Sequence, residues 1–98
     1  MTLADRLRTA RTAAGLSCRA LDGLAGLTLG HANAIERLTM NPGVGTVERL
    51  ARALGTTVGW LAAGEGEPPT DLEIASAVEA ARARNAPTDP DHPVPGAA

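Results

Sequence analysis

Glycines divide the first 64 residues into short segments, and each segment carries apolar side chains at helical spacing. The clearest apolar faces belong to residues 3–14, ended by Gly15, and to residues 47–54, ended by Gly55. Apolar residues at i, i+3, i+4 and i+7 share one side of an α-helix, and glycine readily adopts the conformation that ends one. The spacing therefore predicts a succession of short amphipathic helices. Their inward faces are Leu3, Leu7, Ala10 and Ala14 in the first helix, and Val47, Leu50, Ala51 and Leu54 in the fourth.

Three further helices are indicated by residues that cap helix starts. Ser17, Thr28 and Thr57 each precede an apolar stripe, with a hydroxyl that can accept a hydrogen bond from the first turn. Gly26 allows a sharp turn between the second and third helices, whereas residues 39–43 have loop chemistry. The residues predicted to face inward are Leu21, Leu24 and Ala25 in the second helix, Ala32, Ile35 and Leu38 in the third with Leu27 stapled against Ala32, and Val58, Trp60 and Leu61 in the fifth.

Composition favours helices over sheets. Trp60 is the single aromatic residue among 98, so Leu, Ala, Val and Ile must fill the core, and these suit closely packed helices. We therefore predict an all-α fold. Its parts are a compact five-helix domain over residues 1–64, a linker over 65–69, a C-terminal helix over 70–84 and a disordered Pro-rich tail over 85–98.

The predicted C-terminal helix has one apolar face and a strong start signal. Thr70 and Glu73 have capping-box spacing, and Ile74, Val78 and Ala81 form a stripe behind them. A helix this short is marginally stable alone, so its stripe needs a surface to cover. That surface is either the chain's own domain or a partner, and the linker before the helix favours self-association or docking to another protein.

The net charge of −2 hides an uneven distribution. Residues 1–63 carry seven Arg against four acidic residues, a balance of +3, while residues 64–98 carry two Arg against seven acidic residues, a balance of −5. A mildly basic body with an acidic C-terminal part is compatible with nucleic-acid binding by the body.

Other function classes find little support. The single cysteine excludes an internal disulfide, and the absence of a long apolar run excludes a membrane span, so we expect a cytoplasmic protein without a membrane partner. His31 and His92 stand far apart, which gives no zinc site, and no nucleophile has a base and an orienting group at suitable spacing. We expect neither an enzyme nor a cofactor. Arg49 and Arg52 are expected on the solvent-exposed face of the fourth helix.

The stretch from Leu16 to Arg37 places two capped helices and a turn glycine within about twenty residues, a spacing that suits a helix-turn-helix. Over residues 3–64 the sequence resembles the Cro and phage-repressor (XRE-like) family of bacterial and phage helix-turn-helix regulators, which has a lambda-repressor-like fold. The residues that carry the resemblance are Gly15-Leu-Ser17, Gly26, Ile35-Glu-Arg37, Ala51-Arg-Ala-Leu-Gly55, Trp60-Leu61 and Gly64-Glu-Gly-Glu-Pro-Pro69.

The resemblance implies a sequence-specific transcriptional regulator, a repressor that binds double-stranded DNA as a homodimer. The third helix would read bases and the second would lie across the backbone. The base-facing positions would be Leu29, Gly30, Asn33 and Ala34, and those near phosphates Ser17, Cys18, Thr28 and Arg37, with His31 a phosphate neighbour or a packing residue. The resemblance also implies a structural ion pair between Arg11 and Glu36.

The sequence departs from the pattern of the resembled family in three ways. Cys18 stands where Gln is common; its thiol is either an ordinary small side chain or a reactive group at a helix N-terminus. Asp22 stands where a small apolar residue usually lets the two helices approach. Leu29, Gly30 and Ala34 offer no side-chain hydrogen bonds, which leaves Asn33 as the one good reader of base edges.

These departures keep a second function open. The same fold can serve as a protein-interaction module, such as an antitoxin or a repressor antagonist, in which DNA binding is weak or lost. The weak recognition helix and the acidic C-terminal part motivate this alternative, and a protein partner would bind the helix over 70–84.

Overall fold

The chain forms six α-helices joined by short loops in a computed structural model that describes residues 1–84. The described part contains no strand, so the predicted all-α fold is confirmed there. The predicted disordered tail over 85–98 lies outside the described residues. The helices are α1 (Leu3–Ala13), α2 (Cys18–Ala25), α3 (His31–Glu36), α4 (Val44–Leu54), α5 (Val58–Ala63) and α6 (Asp71–Arg84).

Local capping signals set most helix starts. The hydroxyls of Ser17 and Thr57 accept hydrogen bonds from the first turns of α2 and α5, as predicted. The capping box of Thr70 and Glu73 precedes α6, also as predicted. A further capping box, which the sequence analysis missed, joins Thr2 and Asp5 at the start of α1. Each box satisfies backbone N–H groups that have no partner inside the helix.

The predicted limits of α3 are wrong at both ends. Thr28 does not cap it; the helix begins at His31, after Gly30 with a φ of 101°, and no side chain of its own caps it. At the other end, Leu38 does not continue the buried stripe. It adopts a φ of 62° and is 75% exposed, because the helix ends at Glu36 and the chain turns away from the core.

The core lies between all six helices and is almost entirely aliphatic. Trp60 is 7% exposed and belongs to it, alongside fully buried leucines from α1, α2, α4 and α5. These leucines are Leu7, Leu21, Leu50, Leu54 and Leu61. The second and fourth helices share contacts with most of the others, so the core is continuous from α1 to α6.

The stripe of α6 covers its own domain. Ile74, Val78 and Ala81 are buried in the same cluster as the rest of the core, and α6 packs mainly against α4 and also against α1 and α2. Gly55, at the end of α4, lies so close to the backbone carbonyl of Glu73 that a Cβ there would overlap it. The sequence left open whether this stripe covers the chain's own domain or a partner. In the structure it covers the chain's own domain, so this face is not free to dock a partner.

A buried arginine ties the ends of the domain together. Arg6 donates hydrogen bonds to the carbonyl oxygens of Leu61 and Ala62, at 2.9 and 2.8 Å, and to that of Met1. The first two carbonyls belong to the end of α5, where helical partners are lacking.

None of the helices within residues 1–84 combines the length and the apolar character that a membrane span requires.

Candidate nucleic-acid interface

The start of α2 and the end of α3 lie side by side. The thiol of Cys18, the first residue of α2, is 3.4 Å from a carboxylate oxygen of Glu36, the last residue of α3. Ser17, which precedes α2, and Arg37, which follows α3, are both exposed next to this contact. The two helices therefore present the start of one and the end of the other on the same side of the domain.

Asp22 holds the other end of α3. Its carboxylate, in a residue 1% exposed, accepts hydrogen bonds from the backbone N–H groups of Gly30 and Ala32, each at 2.9 Å. These are N–H groups at the start of α3, which a capping side chain normally satisfies. The acid at this unusual position is thus the cap of the third helix, supplied by the second.

Glu36 anchors the end of α3 to α1. Its carboxylate receives two hydrogen bonds from Arg11, at 2.6 and 3.0 Å, and one from Arg8 at 3.1 Å. Arg11 also donates to the carbonyl oxygen of Leu16, at 2.8 Å, and so fixes the loop between α1 and α2. The Arg11–Glu36 pair implied by the resemblance forms, and Arg8 is an addition that the sequence analysis missed.

The ion pair also explains how a charge persists in this nearly closed place. Burial raises the pKa of Glu36, but hydrogen bonds from Arg11, Arg8 and Cys18 outweigh it, and the pKa lies below its ordinary value. The hydrogen bond with Glu36 likewise raises the pKa of Arg11. Both groups are therefore charged at neutral pH, and the pair holds α3 against α1.

The thiol of Cys18 faces this ion pair. Burial and the neighbouring Glu36 carboxylate raise the pKa of its thiol, so the thiol stays protonated at neutral pH. The interpretation of Cys18 as a reactive thiol is therefore wrong, because a reactive thiol needs a lowered pKa. Its half-buried position makes it a packing residue beside Glu36.

The outward side of α3 is open to solvent. Gly30, Asn33 and Arg37 recur at helical spacing and are all exposed, while Ala34 is half-buried beside them. Leu29 precedes them with 63% of its surface exposed. Together these residues form a continuous outer face with one amide and one guanidinium group.

The loop before α3 lies next to the start of α4. Thr28 is exposed, and half-buried His31 has its Nδ1 2.9 Å from the Thr28 carbonyl oxygen. These two residues line a groove of about 340 Å³ together with Thr46 and Arg49 of α4. Arg49 also donates to the carbonyl oxygen of Gly26, at 2.9 Å, so it braces the turn between α2 and α3. Periodicity correctly places Arg49 on the outer face of α4, but only tertiary packing brings it to this turn.

The described residues offer no alternative site with metal chemistry. No group of three or more His, Cys, Asp or Glu side chains in residues 1–84 is arranged to hold a metal ion. The exposed polar side chains around α2 and α3 include the hydroxyls of Ser17 and Thr28, the amide of Asn33 and the guanidinium group of Arg37. Such groups are suited to hydrogen bonding with nucleic acid.

Comparison with known proteins relates the chain to a protein family and to a regulator. Residues 2–63 match the family described as "Helix-turn-helix domain". The chain is also 46% identical over 52 residues to an uncharacterized HTH-type transcriptional regulator of Sinorhizobium fredii, a match that covers 53% of the chain and 26% of the relative. The matched part thus spans about a quarter of the length of this relative. No solved structure is significantly similar to the chain.

Proposed function

The chain belongs to the helix-turn-helix domain family, and from that membership we propose that it is a sequence-specific DNA-binding regulator of transcription. In this proposal α3 enters the major groove of double-stranded DNA, and α2 lies across the sugar-phosphate backbone. The similarity to the Sinorhizobium regulator supports the regulatory role.

The exposed outer face of α3 is the observation that carries the proposal. α3 is held at its start by Asp22 and at its end by Glu36, while Asn33 between them points to solvent. A short helix fixed at both ends loses little further freedom on entering a groove, which favours binding. The Asn33 amide can pair with the N6 and N7 edge of an adenine, and Leu29 can contact a thymine methyl group.

Phosphate contacts would come from residues near the two ends of α3. Ser17 and Arg37 flank the contact between Cys18 and Glu36 at the end of α3, and Thr28 lies just before its start. Hydroxyl and guanidinium groups commonly contact phosphate oxygens and set the register of a protein on the duplex. Cys18, half-buried beside Glu36, lies next to Ser17 at this end of α3.

Two variants separate base reading from phosphate contact. Asn33→Ala should relax the preference at one base pair, by about 1–3 kcal/mol, with little effect on other positions. Arg37→Ala should weaken binding to all sequences and reduce the salt slope by about one counterion. Arg82→Ala, an exposed residue of α6, is the matched control for lost charge. The measurement is fluorescence anisotropy on the DNA upstream of the chain's own gene, at two salt concentrations; absence of any affinity at low salt would contradict the proposal.

We further propose that the regulator acts as a homodimeric repressor. A single α3 offers one strong base-edge reader, so two copies on a two-fold symmetric site would supply the specificity that one lacks. Sedimentation of the protein with and without operator DNA tests the dimer. A reporter gene placed under the same DNA tests the direction of regulation. Reporter expression should fall when the protein is produced, and a rise would contradict repression.

The exposed apolar residues around α3 favour one alternative. Leu29 and Leu38, at its two ends, are 63% and 75% exposed, and Val44 at the start of α4 is 68% exposed. Apolar groups on a surface commonly mark contacts with proteins. In this alternative the same face binds a protein, as an antitoxin or a repressor antagonist does. This alternative would be favoured over DNA-binding regulation if the protein fails to bind DNA and forms a complex with another protein that Leu29→Ser abolishes.

A further inference from the structure

Three arginine side chains from two helices line one groove beside the turn between α2 and α3. Arg49 and Arg52 come from α4, Arg84 comes from the last turn of α6, and with residues 24–26 they enclose about 270 Å³. All three residues are exposed. They are far apart in the chain, and the packing of α6 against α4 and α2 is what brings Arg84 to the other two.

Their positive charges have few partners in the described part of the protein. Arg49 donates to the carbonyl oxygen of Gly26, which satisfies one carbonyl at the end of α2. Both ion pairs found in residues 1–84 involve Glu36, so none of the three arginines is paired with a carboxylate there. Glu48 also lies along this side of α4 and offsets one of the charges. An excess of positive charge remains.

Helix dipoles explain only part of the arrangement. Arg52 and Arg84 stand in the last turns of α4 and α6, where a positive side chain is favoured. That preference applies to each helix separately and is met on any side of the helix. The convergence of three like charges on one groove is unfavourable by itself, and an anion bound between them would reverse the sign of the interaction.

We propose that this arginine cluster, Arg49, Arg52 and Arg84, binds phosphate groups. The planar N–H donors of guanidinium match the oxygens of a phosphate, which makes arginine the side chain best suited to it. A second groove shares Arg49 with the cluster and continues to the start of α3. The phosphate belongs either to the DNA backbone beside the bases that α3 reads or to a free phosphate compound.

The test compares arginines inside the cluster with Arg82, an arginine of α6 outside it. Arg84→Gln combined with Arg52→Gln removes two charges from the cluster and leaves Arg49 to brace the turn. Arg82→Gln removes another exposed charge, two residues from Arg84, and Arg82 lines a different groove, between α1 and α6. Since all the altered side chains are exposed, circular dichroism should show the same fold in each variant.

One arm of the experiment measures DNA affinity against salt concentration, and this arm rests on the proposed function. The double variant should reduce the slope of log affinity against log salt by about two, while Arg82→Gln leaves it unchanged. The other arm is independent of DNA and measures the melting temperature with sodium pyrophosphate against sodium chloride of equal ionic strength. Pyrophosphate should raise the wild-type melting temperature, and the double variant should lose this shift.

The outcomes separate the sources of the phosphate. An effect in the DNA arm alone assigns the cluster to the DNA backbone, and an effect in the pyrophosphate arm alone assigns it to a free phosphate compound. If the double variant behaves as Arg82→Gln does in both arms, the cluster is not a phosphate site. If wild-type protein binds no DNA, the proposed function fails while the pyrophosphate arm still decides this inference.

Discussion

Glu36 keeps its charge although its side chain is only 4% exposed, because guanidinium groups from two turns of α1 surround it. Removing one member of such a pair is more costly than the pair is stabilising, since the remaining charge stays buried without a partner. Arg11, with a side chain 16% exposed, is the member that would be left. The residues that orient α3 are therefore also residues on which stability depends.

Glu36→Gln should lower the free energy of unfolding at pH 7 by about 1–3 kcal/mol, because the amide leaves Arg11 without a counter-charge. The pH dependence follows from the lowered pKa of Glu36 in the folded state. As the pH falls, the unfolded chain binds the proton first, at about pH 4.3. The contribution of the charge is therefore present above that value and is lost as the pH falls through the folded pKa. Urea unfolding between pH 3 and 7 should show a flatter profile for the variant than for the wild type.

Part of the pH dependence should survive in this variant. Hydrogen bonds from the backbone and side chain of Thr2 lower the pKa of Asp5, and those of Thr70 lower the pKa of Glu73. Glu48→Gln, at an exposed position of α4, is the control for loss of a carboxylate. Equal stability of the Glu36 and Glu48 variants at pH 7 would show that the ion pair contributes nothing.

At the scale of elements, the sequence predicts those helix starts that depend on residues close together in the chain. Ser17, Thr57 and Thr70 cap their helices because a hydroxyl and the N–H group it accepts from lie within three residues. The start of α3 escapes this reasoning, since its cap is the Asp22 carboxylate of another helix. An acid at a position expected to be small and apolar was a signal of something unusual, but its partners follow only from the fold.

The same distinction applies to the candidate site. The resemblance implied that Gly30 and Asn33 face bases and that Arg37 lies near phosphates, and the structure leaves all three exposed. The resemblance implied that Cys18 lies near phosphates, but it gave no sign that the Cys18 thiol also contacts the Glu36 carboxylate, 18 residues away. Arg84 could not be connected with the site at all, because its position depends on how α6 packs.

The docking of α6 on α4 can be tested with two glycines that share one backbone conformation. Gly15 and Gly55 both have a φ of 71°, so an alanine at either position incurs the same left-handed strain, about 1–2 kcal/mol. A Cβ at Gly15 meets nothing within 4 Å, whereas a Cβ at Gly55 would overlap the Glu73 carbonyl at the start of α6. Gly55→Ala should therefore lower the melting temperature clearly more than Gly15→Ala. Equal losses would mean that α6 does not press against the end of α4.

At the scale of the whole molecule, α6 is part of the folding unit and also supplies charge to the surface. Its inner face completes the core, and its last turn brings Arg84 beside the turn between α2 and α3. The linker over 65–69 does not separate it from the body, because Glu65 donates a backbone hydrogen bond to Gly59 in α5 at 3.1 Å. A change in α6 therefore acts on stability and on the proposed interface together.

Truncation shows the consequence most directly. A chain that ends at Pro68 lacks Ile74 and Val78, which are 3% and 6% exposed, and leaves bare the faces of α2 and α4 that they cover. Each such side chain contributes about 1.5–3 kcal/mol by its burial, so together they approach the 5–15 kcal/mol that stabilise a typical domain. This truncated chain should unfold at a much lower urea concentration or fail to fold.

A chain that ends at Asn85 keeps every core residue of α6 and should unfold at the wild-type midpoint. Its net charge is zero in place of −2, since the removed segment carries Asp89 and Asp91 but no arginine. A cooperative, wild-type-like transition in the chain that ends at Pro68 would show that the first five helices fold without α6.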